Sequence, residues 1–235
     1  PAYYGVYIYA LGLRNGDGAM PLWKRATGWF SAILFIAIGL IFANAMSLIE
    51  NVKGWPALWQ QHSVHGAALG TATNVGDPQL WPRWLLMFGL ALGTTAAWIA
   101  FDAAWFARRE KPEYRRWAKG FAWKLYALSV VWFAGVGSWY VFATWPQDIR
   151  QTMFHMPWVV LTVVTAIAPG LPLLLLWLAS RREADIGRGL AALVGLAQFG
   201  VLGVNAAARQ VVQHFEIQPY YDITSQPVKL ELSPL

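Results

Sequence analysis

The sequence contains no cysteine, and only 13% of its 235 residues are charged. The first absence excludes disulfides, covalent c-type haem attachment, thiolate-bound iron–sulfur clusters and thiol catalysis within this chain. The second argues against a soluble domain, in which about a quarter of residues carry charge. Phosphate loops, zinc-protease motifs, nucleophile elbows and kinase signatures are likewise absent. What is present is apolar. Hydrophobic residues make up 57% of the chain, and the mean hydropathy is +0.39. The fifteen tryptophans and nine tyrosines suit the lipid–water boundary, where one edge of a ring is wet and the other apolar.

A spanning helix needs about 20 mostly apolar residues. Five stretches qualify, at about 27–48, 83–106, 119–143, 157–179 and 187–208. None alternates as a barrel strand would, so the class is all-α: a polytopic transmembrane bundle forming a single membrane domain over 1–235. The opening "PAYYGVYIYALGL" reads as the end of a sixth spanning helix, and both chain ends read as cut from a longer polypeptide.

The formal net charge is +6, but its placement points to topology and away from nucleic acid. Arg14, Lys24 and Arg25 cluster in the loop 14–25. Arg108, Arg109, Lys111, Arg115, Arg116 and Lys119 fill the loop 108–119, and Arg181, Arg182 and Arg188 the loop 181–188. Segments 49–82, 144–156 and 209–235 are nearly free of positive charge. Basic loops stay in the cytoplasm. This alternation predicts a multi-pass protein of a bacterial inner membrane, with 49–82 as an outer interfacial segment (a short helix plus a loop) and 209–235 as an outer tail.

Polar groups at depth are costly in lipid and ask for partners. Asp102 and Lys124 both fall about 8–9 Å inside the cytoplasmic boundary, on helices joined by a short loop. They are predicted to form an ion pair, either fixing helix register or admitting protons. At the outer side stand Asn44, Glu50, Arg83, Asn205, Arg209 and Gln213. Asn205, Arg209 and Gln213 make a polar stripe if the fifth helix continues past 208. Snorkelling explains either arginine alone; a ligand-facing role is the other reading. His62 and His65, spaced i, i+3, share a face of an interfacial helix in this reading, without a third ligand for a metal. His155 and His214 flank the fourth and fifth helices and are the haem candidates, although both sit at or beyond helix ends. Pro169 and Pro172 interrupt the fourth helix, as in transporters or in a passively kinked bundle.

Three stretches together resemble the first subunit of the cytochrome bd quinol oxidase superfamily, specifically divergent relatives that accompany c-type cytochromes. "IFANAMSLIENVKGW" is similar to the family's helix with an asparagine–methionine pattern before an outer loop. "GDPQLWPRWLLMFGLALGTTAAW" is similar to its Pro-containing, basic, small-residue-rich helix. "GVLGVNAAARQVVQHFEIQPYYDI" is similar to its closing helix. The resemblance implies a membrane subunit of a respiratory quinone–cytochrome c electron-transfer complex, with other membrane subunits and an outer-side c-type cytochrome as partners. In this setting Asn44, Arg83, Arg209 and Gln213 are the candidates to line a quinone site, since a quinone needs an apolar slot with a donor at each carbonyl and these donors stand near the outer interface. Aligning Asp77-Pro78 and Arg83 on the family pattern places Leu86 where the oxidases carry a haem-ligating histidine. Leucine cannot bind iron, so oxygen reduction and a haem b in this chain are not expected. The alternatives are a haem-binding cytochrome subunit, a structural anchor without ligand, and a transporter.

Overall fold

Small residues make the central contact of the molecule, between α4 (Leu80–Trp105) and α5 (Pro112–Trp139). The computed structural model describes residues 1–14, 20–107 and 112–220. Along α4, Gly89, Gly93, Ala96, Ala97, Ala100, Ala103 and Ala104 are buried; Ala118, Ala122, Tyr126 and Ser129 are their counterparts on α5. Lipid supplies no hydrophobic drive between helices, so close backbone approach and interhelical hydrogen bonds hold them together. A Cβ placed on Gly93 would lie 2.8 Å from Ser129 Oγ and 3.4 Å from the Tyr126 ring. Ser129 Oγ donates to Gly89 O at 2.6 Å. Tyr126 Oη donates to Gln198 Oε1 at 2.6 Å, and Gln198 Nε2 to Thr94 Oγ1 at 3.1 Å. That chain ties α9 (Arg188–Ile217) to the hairpin.

The remaining helices are placed around this core. The helices α1 (Ala2–Arg14) and α2 (Leu22–Glu50) form an antiparallel pair that again meets on small residues, Gly5 against Ser31 and Gly28 against Tyr9. The long α5 ends in a π-helical turn, Tyr140–Thr144. Pro146 cannot continue a helix and pushes Trp145 into extended backbone (ψ 134°). After α6 (Gln147–Met153), the next span is broken into α7 (Trp158–Ile167) and α8 (Gly170–Arg181) at Ala168-Pro169, the interruption expected from Pro169.

Five helical spans are long and apolar enough to cross a membrane: Leu22–Glu50, Leu80–Trp105, Pro112–Thr144, Trp158–Arg181 and Arg188–Tyr220. The chain is a multi-pass membrane protein of all-α class. The spans outrun their apolar cores, because helix continues into the polar margins that hydropathy leaves out. The largest difference is α9, which runs nine residues past the expected end at 208, to Ile217. Arg209 and Gln213 therefore stand on a helix and not in a tail; residues 221–235 of that tail lie outside the described residues.

Between α2 and α4, α3 (Trp55–His62) is followed by a two-residue hairpin, β1 (Ser63–Val64) paired with β2 (Ala67–Ala68). The turn residues His65 and Gly66 both have positive φ, 51° and 77°, as a tight primed turn requires. His65 is thus off the helix, and the expected shared face with His62 does not exist. His62 Nδ1 instead lies 3.2 Å from Thr71 Oγ1.

The loops sort to two ends. Asn44 and Ser47 of α2 meet the 72–77 loop before α4, and Glu216 of α9 meets Gln79. Lys119 of α5 meets Arg182 O and Ala184 O at the other end. The described parts of the three basic loops share this second end, called the basic end below; residues 15–19 and 108–111 lie outside the described residues.

Candidate functional site

The end opposite the basic loops holds a buried charge cluster centred on Arg83. Its position is set by the start of α4. Asp77 Oδ1 accepts from Gln79 N at 2.9 Å, and Asp77 O accepts from Leu80 N at 3.2 Å. Asp77 is held in turn by the Ser47 hydroxyl and by Asn74 Nδ2. Asn44 completes this frame: its Oδ1 accepts from Asn74 N at 2.8 Å, and its Nδ2 donates to Ala72 O at 3.1 Å.

One turn into α4, the Arg83 guanidinium is only 8% exposed and meets groups from four helices. Nη1 pairs with Glu50 at the end of α2, and Nη2 with Gln79 Oε1 and, at 3.2 Å, with Glu216 Oε2 on α9. Nε donates to Tyr140 Oη at 3.1 Å, and the guanidinium carbon lies 5.5 Å from the Tyr140 ring centre. Gln79 Nε2 closes the ring by donating to Glu216 Oε1 at 2.8 Å. Charges taken out of water must be paired to persist, and both carboxylates here are paired with Arg83. The π-helical turn matters at this point, since it carries Tyr140 at its first position; such turns recur at functional sites.

Arg209 lies within electrostatic reach of Arg83, Tyr140 and Glu216. With Glu50 and Glu216 the two arginines make a formally neutral group. Unlike Arg83, Arg209 is not saturated: its Nε is enclosed and makes no hydrogen bond. Trp145 Nε1 is likewise enclosed without a partner, with its ring edge-on to Tyr140 at 5.5 Å. Gln213, one turn beyond Arg209, is half-buried and makes no hydrogen bond among the described residues. Outside the membrane spans, Lys53 reaches across to Tyr220 at the end of α9, 5.8 Å from its ring. Hydrogen bonding to that phenol raises the Lys53 ammonium above its ordinary pKa.

The structure thus brings Arg83 and Arg209 within electrostatic reach of each other, and Gln213 stands one helical turn from Arg209 on α9. It places Asn44 in the neighbouring frame, bonded to the 72–74 backbone. His155 and His214 are both exposed, and His155 Nδ1 lies 2.5 Å from Gln151 O. No group of three metal-ligating side chains occurs among the described residues.

The expected Asp102–Lys124 ion pair does not form. Asp102 Oδ2 accepts from Tyr114 Oη at 3.2 Å and lines an open cleft of about 400 Å3 with Phe106, Ala107 and Tyr114. The buried lysine of α5 is Lys119, 7% exposed. Lys124, five residues on, is rotated by about 140° and is exposed.

Sequence reasoning missed Gln79, Tyr140 and Glu216 as members of the cluster. Glu216 carried a signal, since it lies two turns from Arg209 on the same helix face. Tyr140 carried none, because a π turn is not readable from residue types. No protein-family model, curated protein or solved structure matches the chain.

Proposed function

We propose that the chain is a membrane subunit of a bacterial respiratory complex that passes electrons from quinol to a c-type cytochrome. In this reading it anchors the complex in the inner membrane, keeps its basic loops in the cytoplasm, and contributes a wall of a quinone site near the outer face. The resemblance to the cytochrome bd superfamily supports the setting, and the cluster supports the site.

The observation that carries the site is Arg209. A buried donor left unbonded costs about 1–3 kcal/mol, which an acceptor oxygen from a ligand would remove. A quinone offers two carbonyl acceptors on an otherwise apolar ring, and wants an apolar slot with a few placed donors. Arg209 Nε and the Gln213 amide are such donors, one helical turn apart. Arg83 is already committed to Glu50, Gln79, Glu216 and Tyr140, so its role is to hold α2, α4, α5 and α9 in place around them. Asn44 acts at one further remove, through the loop that starts α4.

The test is to purify the chain with its neighbours, extract bound quinone, and stain co-purifying chains for covalent haem. Stoichiometric quinone that falls in the Arg209→Gln and Gln213→Leu variants, together with a haem-staining partner, supports the proposal. Preparations holding neither quinone nor a redox partner overturn it. They would leave the second reading, a ligand-free anchor, which the saturated pairing of Arg83 favours.

A further inference from the structure

At the basic end, α5 and the connection from α8 to α9 enclose an open cleft of about 690 Å3, lined by Pro112, Arg116, Lys119 and residues 182–185. Lys119 forms its floor. The residue is 7% exposed, and its ammonium donates to Arg182 O and Ala184 O, which uses two of its three donors. Arg116 and Arg182 stand exposed at the rim. Of the two acids in the lining, Asp185 is held by Arg115 at 3.2 Å. Counting Arg115, the cleft keeps a formal excess of two positive charges.

Depth is set by aromatic side chains. Trp105, Trp117 and Trp177 are exposed at this end, at 42%, 56% and 37%. Arg188 lies 5.1 Å from the Trp105 ring centre and Arg181 5.2 Å from that of Trp177. A belt of indoles with arginines beside it marks headgroup level. The cleft therefore opens where lipid phosphates lie.

We propose that this cleft binds the phosphate of an anionic phospholipid headgroup. Two guanidiniums can fork onto phosphate oxygens, with the Lys119 ammonium beneath as a point charge. The lipid would bridge α5 to the α8–α9 connection, the two elements that Lys119 already joins. The inference is independent of any quinone chemistry, since it concerns the opposite end of the bundle.

Native mass spectrometry of the purified full chain, titrated with phosphatidylglycerol or phosphatidylcholine, tests it. Phosphatidylglycerol should bind more tightly than phosphatidylcholine. Binding should weaken about fivefold in Arg116→Gln or Arg182→Gln and about 25-fold in the double variant, from about 1 kcal/mol per basic residue. Arg25→Gln, exposed at the same end on α2, should leave binding unchanged. Equal binding of the two lipids, an unaltered double variant, or an equal loss in Arg25→Gln would overturn the proposal. So would inorganic phosphate occupying the site as tightly as phosphatidylglycerol, which would make the ligand soluble phosphate. The rim variants leave the folded interior untouched, so the test does not depend on Lys119.

Discussion

Arg83 and Glu216 lie 133 positions apart in the chain and meet at 3.2 Å at one end of the bundle. The contact closes a ring that begins at the end of α2 and passes through the start of α4, the π turn of α5 and the last turns of α9. No pair of adjacent helices could make the whole ring, because α2 contributes Glu50, the start of α4 Gln79 and Arg83, α5 Tyr140 and α9 Glu216. The ring therefore reports whether these four helices are assembled in register.

Removing the centre of that ring should be expensive. Arg83→Met leaves Glu50 and Glu216 buried beside each other, and losing one partner of a buried ion pair costs about 3–5 kcal/mol. Unfolding of the purified protein in mixed detergent should show a loss of that order. The combined Glu50→Gln, Arg83→Met variant should recover part of it, since the arginine and carboxylate that remain, Arg209 and Glu216, lie within electrostatic reach of each other. A single variant as stable as the parent would mean that the ring does not hold the bundle.

Gly93 and Gly120 should respond differently to the same change. In Gly93→Ala the new methyl meets Ser129 Oγ at 2.8 Å, and moving that hydroxyl breaks its bond to Gly89 O. Overpacking of this kind costs about 1–3 kcal/mol. At Gly120 nothing lies within 4 Å of an added Cβ, so alanine should be neutral, or stabilising by up to about 1 kcal/mol through helix propensity. The same unfolding assay reads both. Equal effects would contradict the close α4–α5 approach.

Tyr126, Gln198 and Thr94 should be energetically coupled. A double-mutant cycle with Tyr126→Phe and Gln198→Leu should give a coupling of about 0.6–1.7 kcal/mol, the range for hydrogen bonds between membrane helices. Strictly additive effects would mean that the 2.6 Å contact contributes nothing to stability.

Much of this architecture was legible in the residues, and the reasons are physical. Long apolar runs leave no alternative to helix in lipid, and the clustered arginines sorted the loops to two ends, as the contacts of Lys119 and Glu216 bear out. Pro169 marked its own break. Depth counting failed for Asp102 and Lys124 because it fixes height along a helix but not rotation about it. Lys124 is on the wrong face of α5, exposed where Lys119 is buried. The histidine spacing failed because the chain turns at His65, where positive φ overrides a helical reading. Arg83 and Arg209 were readable as costly polar groups near one boundary. Their shared carboxylates were not, because that contact depends on how far α9 continues.

Which side of the membrane each end of the bundle faces decides whether the Arg83 cluster can serve an outer-face quinone site. The chain has no cysteine, so single cysteines introduced one at a time can be read without background. Thr73 and Gln151 are exposed at the end that holds the Arg83 cluster, and Arg25 and Glu183 are exposed at the basic end. A membrane-impermeant maleimide applied to intact bacterial spheroplasts should label Thr73→Cys and Gln151→Cys at once, and Arg25→Cys and Glu183→Cys only after the membrane is opened. Labelling of the basic-end cysteines in sealed spheroplasts, with protection of the other two, would contradict the topology and with it the outer-face quinone site.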